Sequence, residues 1–265
     1  MTRYAIGGGR QGKERLKLLA AVMLPTTSRL LGDVGLRTGM NCLDVACGGG
    51  DVTLYLARQV GPHGKVIGTD ADAEIIALAR QDAAAGKVDN VEFRVADAQE
   101  CAGAGQQDLV YARFILTHLS APARCVDAMV EASRRGGIVV VEDIDFSGSF
   151  CHPHCAAYQR YTDLYRQVVK RRGGDPNIGP KVPGMLRRAG LQSVQINVVQ
   201  PAHIDGDGKF VAAITMTRIA EAVVAEGLAG EDEIGSVIAG LNAAAEDPET
   251  VMGLPRIFQS WGTRT

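Results

Sequence analysis

The stretch Leu43-Asp44-Val45-Ala46-Cys47-Gly48-Gly49-Gly50-Asp51 decides the fold. An apolar run ends in three glycines, and a helix-compatible stretch follows from Val52. A glycine-rich turn between a strand and a helix lets the backbone approach a ligand, and the helix start offers free N–H groups. Working outward, the next apolar run ends at Asp70, twenty residues past Gly50. That is where an α/β nucleotide site sets a carboxylate against the ribose hydroxyls.

The pattern around this turn repeats. Strands are expected at residues 41–46, 65–69, 91–95, 108–111 and 137–142, with helices at 52–60, 73–85 and 122–133 between them. Gly61, Gly86 and Gly136 read as stops behind those helices. Alternation of this kind makes a mainly parallel sheet with helices on both faces. Further strands at 191–199 and 257–261 bring the expected sheet to seven, the last of them returning to the sheet edge. The fold class is therefore α/β, a doubly wound, mostly parallel seven-stranded sheet. Residues 1–36 read as an N-terminal helical lid, with a helix near 12–31 interrupted by Pro25. The core runs over 37–206, with a substrate-side insertion at 146–180. A helical cap at 207–248 precedes the last strand in 249–265.

The chain has 265 residues, 46% of them hydrophobic and 22% charged, and a formal net charge of −2. It is long enough to bury a large core without disulfides or metals. A near-neutral balance gives no field to hold a nucleic-acid backbone or an anionic membrane. The six cysteines are scattered and follow no disulfide framework, so they read as reduced thiols of a cytoplasmic protein. The expected partner is a small molecule, with no nucleic acid and no membrane, and a homodimer stays open.

The ligand is narrowed by what is missing. A G-x-G-x-x-G fingerprint would need glycines at 46, 48 and 51, and the chain has Ala46, Gly48 and Asp51. An acid at the helix start repels a pyrophosphate. No Gly-Lys-Ser/Thr loop is present either. The turn suits a ligand without phosphates.

Four runs in order then carry a family resemblance. They are Leu43–Gly50, Val66-Ile67-Gly68-Thr69-Asp70, Phe93-Arg94-Val95-Ala96-Asp97-Ala98, and Asp108-Leu109-Val110-Tyr111-Ala112-Arg113-Phe114 with Leu116-Thr117-His118-Leu119 behind it. Over about residues 40–200 the chain resembles class I S-adenosylmethionine-dependent methyltransferases, most closely the ubiquinone/menaquinone-biosynthesis type. Ala46 departs from the glycine usual in that family. The resemblance implies a Rossmann-like fold, S-adenosyl-L-methionine as cofactor and methyl transfer to a small organic molecule. It also implies roles. Backbone near Ala46, Cys47, Gly48 and Gly50 lines the methionine portion, and Asp70 with Ala71 holds the ribose. Asp97 accepts from the adenine amino group while the Ala98 N–H donates to the ring. Arg113 sits beside the methionyl end, and Asp44 organises the glycine loop or contacts the amino group. Apart from the resemblance, Tyr4 and Gly7-Gly8-Gly9 read either as a lid over the cofactor or as a disordered tail.

Catalytic candidates are His118, Asp143 and Asp145, any of which would serve as a base if the acceptor must lose a proton. Phe146, Phe150 and Tyr158 are expected to wall the acceptor pocket. Cys151-His152-Pro153-His154-Cys155 contains zinc-ligand types but is too compressed for a structural site, so no metal is expected and the segment reads as a loop. Two rival readings keep the fold: a cofactor-binding cyclase or isomerase that transfers no methyl, and a non-catalytic ligand sensor.

Overall fold

Burial along the strands follows the demands of a sheet covered on both sides. Leu43, Val45, Val110, Ala112, Val139 and Val141 pack into one apolar cluster, while Cys42, Val66, Leu109, Tyr111 and Val140 pack into another. Alternate residues thus face opposite layers. A computed structural model describes residues 9–100 and 105–265, with side chains from residue 18 onward. Tyr4, Gly7, Gly8 and Cys101 lie outside the described residues.

In chain order the elements are α1 (Gly9–Asp33), β1 (Asn41–Val45), α2 (Asp51–Val60), β2 (Lys65–Asp70), α3 (Ala73–Ala85), β3 (Val91–Val95) and β4 (Gln107–Arg113). Then come α4 (Pro122–Ala132), β5 (Ser133–Asp145), β6 (Phe150–His152), α5 (Ala156–Arg171), α6 (Val182–Arg188), β7 (Gln192–Val199) and β8 (Ala202–His203). The chain ends with α7 (Val211–Ala225), α8 (Glu231–Glu246), β9 (Val251–Gly253) and β10 (Arg256–Thr263). The main sheet has seven strands in the order β3-β2-β1-β4-β5-β10-β7. The five on the β3 side run parallel, and β10 is antiparallel to both its neighbours. Strand order reverses between β1 and β4, which is where an open α/β sheet leaves a crevice beyond its carboxyl ends.

Several expectations are corrected. The last strand does not return to the sheet edge: β10 inserts between β5 and β7. Its Ile257, Gln259 and Ser260 are buried, whereas β7 exposes Ile196 and Val198 and forms the edge. Pro25 does not interrupt α1. It sits on the helix's exposed face, where the carbonyl it leaves unpaired can reach water. Gly136 is not a helix stop, because α4 already ends at Ala132. It takes a left-handed φ of 74° inside β5, where the register against β4 shifts. The segment expected as a loop at 151–155 is partly strand: β6 pairs with β9, which also pairs with β8 in a second, three-stranded sheet.

α7 and α8 pack on α5, joining Tyr161, Leu164, Tyr165 and Val168 to Ala212, Met216, Ile219, Val237 and Leu241 in one cluster. Fully burying each such large apolar side chain stabilises by about 1.5–3 kcal/mol. Val211, at the start of α7, packs instead with Met23 of α1, Leu254 and Ile257. Helices from both ends of the chain therefore meet over the carboxyl ends of β4 and β5.

Candidate active site

The glycine turn is a chain of short backbone bonds. Cys47 N–H donates to Thr69 O at 2.8 Å, and Gly50 N–H donates to Cys47 O at 3.0 Å. Ala46, Gly48 and Gly50 all adopt left-handed φ values, of 56°, 53° and 82°. For Ala46 that conformation carries strain that a glycine would not. Gly50 is required for packing, since a Cβ there would stand 2.7 Å from the Phe93 ring. It turns away from the cavity, and Gly49 takes the lining place expected of it.

That cavity, about 530 Å³, runs along the carboxyl ends of the strands from β3 to β5. It falls within the size range of small-molecule sites. At one end stand acids. Asp70 accepts from Gly48 N–H at 3.0 Å and from Asp72 N–H at 2.9 Å, tying the glycine turn to the tip of β2. Burial pushes its carboxyl up, against the pull of those backbone bonds. Asp44 is buried with the Thr53 hydroxyl donating to it at 2.6 Å. Burial raises the Asp44 carboxyl to about 7; Thr53 and Arg113 oppose the rise, and Asp70 and Asp51 add to it. Asp97 is exposed and accepts from Gln99 N–H at 2.8 Å, beside the buried Ala98. Ala46, Cys47, Gly48, Ala71, Asp97, Ala98 and Arg113 all line the cavity with Asp44 and Asp70. Burial holds the Cys47 thiol well above its ordinary range, in its neutral, unreactive form.

Behind Arg113 lies a buried network that the sequence did not disclose. Its guanidinium donates to the Thr27 hydroxyl at 3.2 Å, and Thr27 donates to Glu142 at 2.8 Å. Glu142 also accepts from the Tyr111 hydroxyl at 2.5 Å and from the Gln259 amide at 2.8 Å. A carboxylate this buried is tolerated because each oxygen has a donor. The network fastens α1 to β4, β5 and β10 just under the cavity.

The other end of the cavity is mainly apolar, with Arg113, His118 and Thr215 as its polar members. Phe146 stacks on Tyr165 with ring centroids 4.0 Å apart and planes 9° from parallel, and Tyr161 meets Phe146 edge-on at 5.8 Å. Leu19, Met23, Val211, Thr215, Leu254 and Ile257 complete it. Tyr161 and Tyr165 both come from α5. Their i, i+4 spacing puts them on one face of α5, but what that face meets depends on the fold.

Of the three catalytic candidates, His118 lines the cavity, at the end of the 3₁₀ turn Leu116–His118. Asp143 and Asp145 do not. Asp143 is fully buried and accepts from Ile144 N–H at 2.8 Å and Thr117 N–H at 3.2 Å, and burial raises its carboxyl to about 7. Asp145 pairs with Arg256 at 2.7 Å and accepts from the Ser147 hydroxyl at 2.6 Å. Side chains alternate along β5, so Ile144 faces the cavity and the two acids on either side of it face away. Phe150 and Tyr158 also stand outside the lining. Phe150 is 41% exposed on β6 with its ring covering Gly253, and the Tyr158 hydroxyl donates to Gly253 O at 2.7 Å. Among the described residues no three histidine, cysteine or acidic side chains converge as a metal-binding group, and no helix is long and apolar enough to cross a membrane.

Comparison with known proteins fits this geometry. A family model for a methyltransferase domain matches residues 36–182. The chain is 26% identical over 170 residues to phosphoethanolamine N-methyltransferase 1 of Zea mays, a match covering 64% of this chain and 31% of that protein. It is 38% identical over 72 residues to demethylmenaquinone methyltransferase of Staphylococcus aureus, covering 27% and 29% respectively. The matched stretches thus span about three-tenths of either relative's length. A crystal structure of a putative methyltransferase from Bacillus halodurans superposes with a TM-score of 0.62 at 17% identity, covering 90% of this chain and 98% of that one. At that identity the likeness is one of fold.

Proposed function

The chain belongs to the methyltransferase-domain family, and from that premise we propose that it moves a methyl group from S-adenosyl-L-methionine to an O, N, S or C atom of a small organic molecule. The observation that carries this reading is the row of strand-tip acids. Asp44, Asp70 and Asp97, from β1, β2 and the turn after β3, line one cavity with the glycine turn, and Arg113 is the one Lys or Arg beside them among the described residues. Such a site repels phosphates and accommodates a ligand with hydroxyls, an amino group and positive charge.

The donor set fits that cofactor. When bound, it supplies an electrophilic methyl group on a sulfonium. Backbone N–H groups hold the Asp70 carboxylate in place, and the ribose hydroxyls donate to its remaining accepting capacity. Asp97 accepts from the adenine amino group, and the Ala98 N–H donates to the ring. Ala46, Cys47, Gly48 and Gly49 border the methionine portion, with Asp44 and Arg113 at its charged end. Methyl transfer is an in-line displacement, so alignment in a site that excludes water supplies most of the acceleration. His118 is the one predicted base on the cavity wall, and it takes up a proton only where the acceptor has one to lose. Within the expected lid, α1 closes one side of this site through Leu19 and Met23, and residues 207–248 serve as its cap. The same reading places the protein in the cytoplasm, where its thiols stay reduced.

Incubation with methyl-labelled cofactor and a panel of acceptors tests the proposal. Label in the product supports it. Conversion of an acceptor without label selects a cyclase or isomerase, and binding with neither selects a sensor.

A further inference from the structure

We propose that Cys151 and Cys155 form a redox-active dithiol, which closes to an internal disulfide when the protein meets a low-molecular-weight disulfide. The segment Cys151-His152-Pro153-His154-Cys155 gives no residue to the cavity lining. Its two histidines are exposed, and among the described residues no three metal-ligating side chains gather. The two thiols, by contrast, are held together. Cys151 lies in β6, paired across the ladder with Met252 of β9. Cys155 is the N-cap residue of α5, yet its side chain makes no capping bond to that helix. It is hydrogen-bonded to Cys151 instead, and both residues pack against the cluster of α5, α7 and α8. Each is half-buried, within reach of a small reagent. The other described cysteines are placed differently. Cys42 and Cys125 are fully buried, and the Cys47 thiol is held neutral by burial and donates to Gly48 O at 3.8 Å.

The reagent balances the exchange. Burial pushes the Cys151 thiol up, Cys155 and Asp247 add to the rise, and Lys209 opposes it. Cys151 is thus kept protonated, and the first attack falls to Cys155. Cys155 loses its proton, and its sulfur attacks one sulfur of the reagent, whose S–S bond breaks to release one thiolate. Cys151 then loses its proton, and its sulfur attacks Cys155 Sγ in the mixed disulfide and displaces the second thiolate. Two protein S–H bonds become one S–S bond, two electrons pass to the reagent, and the two protons end on the two small thiols. Because the sulfurs are already neighbours, the second step is intramolecular and outruns bulk thiol. The link ties β6 to the first turn of α5. That helix is already fastened to β9 by the Tyr158 hydroxyl, which donates to Gly253 O at 2.7 Å, and it carries Tyr161 and Tyr165 of the cavity wall. The disulfide therefore reinforces contacts the fold already makes. In a reducing compartment the pair rests as thiols, and it closes as the thiol pool is oxidised.

The test treats the folded full chain with oxidised glutathione in the presence of a chelator, blocks the remaining thiols by alkylation and maps the peptides. The expected product is one disulfide joining Cys151 to Cys155, reopened by dithiothreitol, with Cys42, Cys47 and Cys125 left as thiols. In Cys151→Ser the reaction should stop at a mixed disulfide of glutathione on Cys155. In Cys155→Ser the rate of glutathione uptake should fall by at least about tenfold. A wild-type protein that stops at mixed disulfides, or a link from either residue to another cysteine, overturns the proposal. Closing the short loop should also raise the Tm of the wild type by about 2–6 °C, with no such rise in treated Cys151→Ser. An oxidised wild type that melts no higher than the reduced protein overturns it as well.

Discussion

The two ends of the cavity are held by different physics. At the β1–β3 end the side chains are acids, and they keep their places through short bonds to nearby backbone: Asp70 to Gly48 and Asp72, Asp97 to Gln99. At the β4–β5 end the side chains are mainly rings and aliphatics, from five segments near residues 19–23, 113–119, 144–165, 211–215 and 254–257, with Arg113, His118 and Thr215 as the polar members. Their positions depend on packing between helices α1, α5 and α7. The first end is locally determined, electrostatically costly and suited to one fixed ligand. The second is assembled over long sequence distances and suited to variation. Substitutions at the acid end should therefore register chiefly in cofactor affinity and pH response, and those at the aromatic end chiefly in acceptor choice.

The largest effect is expected at Asp70. Asp70→Ala removes the anchor of the glycine turn together with the bonds to the ligand, each charge-assisted bond being worth about 1.5–3 kcal/mol. Calorimetry should record a loss of S-adenosylhomocysteine affinity of about a hundredfold or more. Unchanged affinity in a folded variant would break the contrast between the two ends.

Next comes Asp44, whose carboxyl burial has raised from 3.8 to about 7. An acid raised in the folded state adds stability below its unfolded value, and that contribution is lost as pH rises through the folded value. Asp44 therefore weakens the fold progressively between about pH 4 and 7, and Asp44→Asn should melt higher than wild type at pH 8, by about 2–4 °C for each kcal/mol regained. Asp143, also raised to about 7, is untouched by that change and keeps its own share of the pH dependence. A ligand with a cationic head should bind wild type more tightly as pH passes through about 7, and Asp44→Asn should flatten that rise. Matching pH profiles for the two proteins would remove Asp44 from the ligand's charged end.

The smallest effect concerns Ala46, held at a φ of 56°. Ala46→Gly relieves roughly 1–2 kcal/mol of left-handed strain but gives back part of it through the looser unfolded chain. A net gain of about 0.5–1 kcal/mol, read as a small rise in Tm, is expected. A fall in Tm would show that Ala46 is held there by packing of its methyl group.

This division also explains what could be read from the sequence. The strand-tip acids and the glycine turn were legible because the apolar runs mark the strand ends that carry them, and their bonding partners lie no more than 22 residues away. Gly50 was misplaced because its need for glycine comes from its left-handed φ of 82° and from Phe93 on β3, and not from a ligand. Asp143 and Asp145 were misplaced because β5 continues to Asp145, three residues beyond its expected end, and alternation then turns Ile144 into the cavity instead. The i, i+4 spacing of Tyr161 and Tyr165 sets them on one helical face, yet no local pattern says that Phe146 will stack on it. The antiparallel insertion of β10 and the Glu142 network join residues more than a hundred positions apart. Such pairings leave no periodic trace.

The most direct test of the account is a calorimetric titration of the full chain with S-adenosylhomocysteine beside one with NAD⁺. The acid-lined, phosphate-repelling end predicts one saturable site for S-adenosylhomocysteine and no detectable heat from NAD⁺. Comparable binding of NAD⁺, or no binding of S-adenosylhomocysteine by the folded protein, would contradict it.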